Sequence, residues 1–213
     1  MIRDKLIKDY PMIKPPASST VHAVLDRNNL VKRQASPPQG RGHTPEPYPF
    51  PNGLWCADYK GEFMLGNRKY CYPLTITDYH SRFLLACEGL DSTRSPFAFA
   101  VFERVFKEYG VPEAIRTDNG VPFASANALF GLNRLSVWWL RLGIRIERIA
   151  PRHPEQNGRH ECMHLTLKRD ATKPASFSLL QQQSRFDEFI EIYNNDRPHQ
   201  ALSGRSVEPF YGL

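Results

Sequence analysis

The sequence predicts a mixed α/β core behind a short helical piece and a proline-rich linker. Three observations point to it. From residue 53 onward, β-branched and aromatic runs alternate with stretches of helical apolar spacing. Residues 34–52, QASPPQGRGHTPEPYPFPN, are rich in Pro and show no periodicity, as an extended linker does. Hydrophobic residues make up 41% of the 213, enough for a packed core and too many for wholesale disorder.

Each element follows in order. Within residues 1–33, RDKLIKDYP reads as a short helix stopped by Pro11. Ser18, Ser19 or Thr20 can cap a second helix, TVHAVLDRNNL, with Val21, Val24 and Leu25 on one face. Two short helices around a turn are open to two readings, the later half of a helix-turn-helix or a helical linker. The core, 53–213, begins with the strand LWCADYKGEF. KYCYPLTITDYHSRFLLACEGL gives two more strands joined by a tight turn at Asp78–Ser81. SPFAFAVFERVFKEYG is helical, with Phe99, Phe102, Val105 and Phe106 spaced for one face, and Gly110 ends it. VPEAIRTDNG supplies a short buried strand ending at Asp118. ALFGLNRLSVWWLRLG reads as helix, IRIERIA as strand and PRHPEQNG as a polar loop. RHECMHLTLKRD and SLLQQQSRFDEFIEIYNN read as helices. Trp138 and Trp139 are expected to pack in the core rather than stack on bases.

Lys and Arg total 28 against 22 Asp and Glu, a net charge of +6. A basic surface favours polyanions. No apolar run is long enough for a membrane span, and MIRDKLIKDY lacks the apolar centre of a signal peptide, so a cytoplasmic protein is expected. Cys56, Cys71, Cys87 and Cys162 form no C-x-x-C clamp and read as buried small hydrophobes.

Two constellations carry chemistry. RHECMH contains His-Glu-x-x-His, the spacing that places two imidazoles on one helix face for zinc in metalloproteases. The Gly-His continuation of one zincin class is missing, since Leu167 stands at its Gly position, and Glu188 would have to serve as third ligand of the other class. That reading leaves the second constellation unused. Asp58 lies in a strand, Asp118 ends another and Glu161 opens a helix after the flexible Asn157-Gly158 pair. Three carboxylates so placed can hold divalent cations, and hard oxygens without paired thiolates suit Mg²⁺ or Mn²⁺ better than zinc. Each acid also has a plain structural alternative: a solvent-facing strand residue, a turn former and a helix-start acid.

WCADYKG, ITDYHSRF, IRTDNGVPFAS, HPEQNGRHECMH and YNNDRPHQAL, in this order, resemble the integrase catalytic core of bacterial insertion-sequence transposases, members of the DDE superfamily with retroviral integrases. The resemblance covers about residues 50–210 and implies a ribonuclease H-like fold. It implies Asp58, Asp118 and Glu161 as the catalytic, metal-binding triad with two Mg²⁺ or Mn²⁺ ions. It also implies a structural role for Asp78 in its hairpin turn, and transposon-end and target DNA as partners of a homo-oligomer associated with the nucleoid. TVHAVLDRNNLVKR resembles the end of the helix-turn-helix such transposases carry. The implied reaction is phosphoryl transfer, cleaving a DNA 3′ end and joining it to a target.

On a helix, positions three, four and seven beyond Glu161 share its side, which places His164, Leu165 and Lys168 there. Arg159, His164 and Lys168 are expected DNA contacts, and His153 and Asn157 are expected to position the DNA end. Cys162 and Leu165 stand where relatives carry Arg and often another basic residue, and LFGLNRL lengthens the interval between Asp118 and Glu161. Relatives usually have a longer N-terminal DNA-binding region and often a small C-terminal β domain. A truncated chain that binds DNA without transposing is therefore the alternative expectation, with a simple nuclease as a lesser one.

Overall fold

The computed structural model describes residues 6–7, 9–28, 30, 48–118, 120, 122–124, 129–149 and 158–196, without the side chains of residues 159 and 196. Six strands form the sheet: β1 (Leu54–Tyr59), β2 (Phe63–Met64), β3 (Tyr70–Asp78), β4 (Leu84–Leu90), β5 (Ala114–Thr117) and β6 (Arg145–Arg148). Its path runs β2-β3-β1-β5-β6, with β4 also paired to β3. The β1–β3 and β3–β4 pairs are antiparallel, whereas β1–β5 and β5–β6 are parallel. This is the mixed α/β class that the alternating patterns predict. The parallel half arises because helical segments connect β4 to β5 and β5 to β6, returning the chain to the same end of the sheet.

Strand alternation sends side chains to two different cores. Trp55, Ala57, Leu74, Ile76 and Ile115 face one side and pack with α2 (Ser95–Tyr109) and α3 (Arg134–Arg141) through Val101, Phe102, Val105, Leu135 and Trp139. Leu84 and Cys87 meet α4 (Gly158–Asp170) and α5 (Leu179–Glu191) on the other side, through Met163, Leu167, Phe186 and Phe189. Helices thus cover both faces. Trp139 is fully buried, and Trp138 packs between Phe99 and Phe106 with ring centroids 5.0 and 5.4 Å away. Both tryptophans are core residues.

The β3–β4 turn is held by Asp78. Its Oδ2 accepts from the Ser81 amide and hydroxyl, both at 2.7 Å, and its Oδ1 accepts from the Asn52 amide at 2.9 Å. With two bonds to backbone amides and one to the Ser81 hydroxyl, all within the turn and its neighbour, Asp78 has the structural role expected of it.

Three local expectations are corrected. Ser18 to Arg27 is helical (α1), but Ala17 occupies the cap and no side chain caps it; Val24 is exposed and α1 buries nothing. The helical stretch around residues 129–142 is interrupted. Leu129–Gly131 is one 3₁₀ turn with Phe130 at φ 55°, and α3 starts only at Arg134, because the Asn133 side chain accepts from the Ser136 amide at 2.8 Å and fixes a new N-terminus there. Residues 48–52, assigned to the linker, belong to the core. Tyr48 is 6% exposed and donates to Glu147, while the Asn52 side chain bonds the Tyr109 carbonyl and the Trp55 indole. Proline-rich composition hid two well-placed anchors.

Candidate active site

The parallel pairing of β1 with β5 positions two acids. The register of β1 with β5 ends at Ala57 and Thr117, so Asp58 and Asp118 each follow the last paired residue of two neighbouring parallel strands. Asp58 is partly buried, facing away from the Trp55–Ala57 core. Asp118 lies just past the end of β5, where its Oδ1 accepts from the Gly120 amide at 3.0 Å. Strand ends of this kind are where catalytic groups collect in open α/β sheets.

Glu161 lies in the first turn of α4, and two buried histidines fix that helix. His160 and His164 are 2% and 8% exposed and turn toward β3. His160 Nε2 lies 2.9 Å from Thr75 Oγ1 and its Nδ1 lies 2.8 Å from Thr77 Oγ1; His164 Nε2 lies 2.7 Å from Thr75 Oγ1. Thr75 Oγ1 also donates to the Asp58 carbonyl at 3.1 Å. Thr75 is the register partner of Asp58, so one hydroxyl ties β3, the Asp58 backbone and α4 together. Burial pushes the His160 imidazole down to about 3. Burial, with His160 and Lys60 nearby, pushes His164 down to about 2, so both rings are neutral at pH 7. His164 Nδ1 stands 3.9 Å from Asp58 Oδ2. Glu161 sits one turn earlier on the same helix and is exposed, within ~4.5 Å of axial rise of that contact.

The remaining expected residues separate by helix face. Glu161, Leu165 and Lys168 form an exposed stripe, with Leu165 69% exposed and Cys162 exposed beside it. His164 does not join that stripe. Expected as a DNA contact, it is buried against Thr75, because α4 seats on the sheet through its two imidazoles together with Met163 and Leu167. Cys56, Cys71 and Cys87 are buried as expected, whereas Cys162 is exposed. His153, Asn157 and the Arg159 side chain lie outside what the structure describes. One site residue escaped sequence reasoning. Lys60 has its ammonium disfavoured first by burial and then by Lys168, with Asp58 acting the other way, so it stands among these groups. Its position two residues past Asp58, on the same strand-exit side, is the only pointer the sequence offers.

Asp58, His160 and His164 present ligand atoms that all lie within 4.8 Å of one another. A protease-like zinc site would need a free nitrogen from His160, yet both of its ring nitrogens are held by threonines. The zinc reading is not what this geometry favours. Among the described residues no helix is long and apolar enough to cross a membrane.

Comparison with known proteins agrees with the fold. The integrase core domain family matches residues 49–154 and again 142–206, together most of the chain. An uncharacterized 39.2 kDa protein of insertion element IS476 from Xanthomonas euvesicatoria is 22% identical over 94% of this chain. The Gag-Pol polyprotein of feline leukemia virus is 28% identical over 58% of it. The chain spans 56% of the insertion-element protein and 7% of the viral polyprotein. Among solved structures, the HTLV-2 integrase catalytic core domain in complex with magnesium shares the fold at TM-score 0.58 and 16% identity, covering 76% of this chain and 97% of that one. A simian T-cell lymphotropic virus intasome chain does so at TM-score 0.65 and 16% identity, over 99% of this chain and 70% of that one. The family match over most of the chain and the ribonuclease H-like sheet agree, and the chain belongs to the integrase core domain family of the retroviral integrase superfamily.

Proposed function

We propose that this chain is the catalytic part of a DDE-type transposase that cleaves DNA 3′ ends and joins them to target DNA. The observation that carries the reading is the place of Asp58 and Asp118, each following the last paired residue of the neighbouring parallel strands β1 and β5; in this reading Glu161, exposed on α4, is the third acid. The proposed donor set suits hard divalent cations, since its ligands are carboxylate oxygens and the three buried thiols are not among them. Asp58, Asp118 and Glu161 would hold the metal, two ions in this reading. Magnesium or manganese there supplies Lewis-acid activation of the attacking oxygen and neutralises the departing one.

The chain's own groups do the rest. Lys60 and Lys168 bring positive charge beside Asp58, where a DNA phosphate must lie, and Lys168 is exposed on the Glu161 side of its helix. Arg159, His153 and Asn157 complete the proposed DNA contacts. Thr75, Thr77 and the two imidazoles hold α4 at a fixed rotation, so that Glu161 is presented rather than left to wander. Assembly as a homo-oligomer on transposon ends, within the nucleoid, belongs to the same proposal; the likeness to an intasome chain supports it.

The test is a joining assay with duplex oligonucleotides carrying the element's end sequence, in Mn²⁺. Asp118→Asn is expected to lose cleavage and joining by more than ~100-fold while end binding persists. Full strand transfer by Asp118→Asn would overturn the assignment. Binding without nicking by the unsubstituted chain would instead mark it as a DNA-binding remnant.

A further inference from the structure

The hydrogen bonds around Thr75 determine where the protons sit. Its hydroxyl has one hydrogen, and the Asp58 carbonyl at 3.1 Å can only accept it. Both imidazole Nε2 atoms at the same oxygen must therefore donate: His160 at 2.9 Å and His164 at 2.7 Å. His160 then uses its Nδ1 lone pair to accept from the Thr77 hydroxyl at 2.8 Å, which leaves it fully engaged. His164 differs. With its proton on Nε2, it turns an unprotonated Nδ1 toward Asp58 Oδ2, and the 3.9 Å between them is too long for a hydrogen bond.

A neutral nitrogen lone pair and a carboxylate oxygen both offer electrons and neither offers a proton. Facing each other in a site 92% shielded on the histidine side, they create a gap complementary to a cation. Two donors ~2.1 Å from one shared ion stand about 3.0–4.2 Å apart, depending on the angle between them. The observed separation falls inside that interval. Metal-bound imidazoles usually hold a hydrogen-bond acceptor at the nitrogen that does not bind, and Thr75 Oγ1 takes that place here, orienting the ring.

We infer that His164 Nδ1 is a ligand to the ion held by Asp58, making this a mixed nitrogen–oxygen site that favours Mn²⁺ over Mg²⁺. The inference deepens the proposed function and rests on Asp58 binding an ion there. His160, despite the matching spacing, is a positioning residue. Imidazole nitrogen suits first-row transition ions, whereas Mg²⁺ keeps to oxygen, so the preference follows from donor chemistry.

Pulsed electron paramagnetic resonance of the whole chain with Mn²⁺ alone reads the ligand directly. A ¹⁴N coupling to bound Mn²⁺ is expected, converting to a ¹⁵N pattern in protein made with [¹⁵N]histidine. It should vanish in His164→Gln and persist in His160→Gln and Glu161→Gln. His164→Gln should weaken Mn²⁺ binding at least tenfold while Mg²⁺ binding changes less than twofold. The labelled wild-type measurement needs no variant to fold. Mn²⁺ bound without histidine coupling, no Mn²⁺ bound at millimolar concentration, or a coupling that survives in folded His164→Gln would each overturn the inference. The joining assay separates the two claims. Asp118-dependent joining without histidine coupling removes His164 as a ligand and keeps the function, whereas coupling without joining does the reverse.

Discussion

Replacing Thr75 by Val removes one hydroxyl with almost no change in shape, and the account predicts a large loss of stability. Thr75 is fully buried, and its Oγ1 accepts from two imidazole N–H groups while donating to the Asp58 carbonyl. In Thr75→Val both imidazole donors stay buried, at 2% and 8% exposure for their residues, and neither finds water. Each unsatisfied buried donor costs about 1–3 kcal/mol, so the pair costs roughly 2–6 kcal/mol. A methyl in place of the hydroxyl recovers less than ~1 kcal/mol by burial. Set against a total of about 5–15 kcal/mol, this is a major fraction. Urea unfolding followed by tryptophan fluorescence, in EDTA, measures it. With m near ~2 kcal/mol per M, the midpoint should fall by roughly 1–3 M at unchanged m. Thr75→Ser, which keeps the hydroxyl, should lose much less. A fall of under ~1 kcal/mol for Thr75→Val would refute the hub and, with it, the proton assignment on His164.

The same pair makes stability depend on pH. Folded His160 and His164 titrate near 3 and 2, below the 6.5 of an exposed imidazole, so the unfolded chain binds protons first as pH falls. Their stability contribution is complete above about pH 6.5 and is lost progressively below it; from pH 7 to 5 the loss is up to about 4 kcal/mol for the two. Unfolding free energies at the two pH values in EDTA check this, and a pH-independent result would contradict neutral burial. Gly120→Ala places a Cβ 2.8 Å from Asp118 Oδ2 and must displace that carboxylate; joining activity should drop at least ~10-fold with the unfolding midpoint nearly unchanged. Asp78→Ala leaves the Ser81 and Asn52 amides without their acceptor and should cost about 2–4 kcal/mol, seen as a lower midpoint of thermal unfolding.

Most of the sheet was legible because its strands announce themselves locally; the exception is β2, since LWCADYKGEF reads as one strand and is divided into β1 and β2. LTIT alternates, AIRT ends at an acid and a turn, and the tight turn after Asp78 is written in its Ser81 partner. Legible too were the strand positions of Asp58 and Asp118, one near the end of β1 and the other just past β5. What stayed hidden depends on long-range packing. His160 and His164 looked like a metal motif or a DNA face because i, i+4 spacing says which residues share a side, not what that side meets. Thr75 and Thr77 carried the missing information: two polar side chains at i, i+2 point to the same face of a strand that is otherwise apolar, and a buried polar face needs partners. The break before α3 was missed because apolar spacing continues through Phe130, while the Asn133 cap decides where helix begins. Tyr48 was read with its prolines, although one aromatic can anchor an extended segment.

Glu161→Gln removes the third acid's charge and nothing else. The substitution keeps size and hydrogen bonding on an exposed helix position, so folding and DNA-end binding should be retained. In a Mn²⁺ joining assay with the element's own ends, the account predicts that the unsubstituted chain transfers strands and Glu161→Gln does so more than ~100-fold more slowly. Strand transfer by Glu161→Gln at the unsubstituted rate would contradict a site built from Asp58, Asp118 and Glu161.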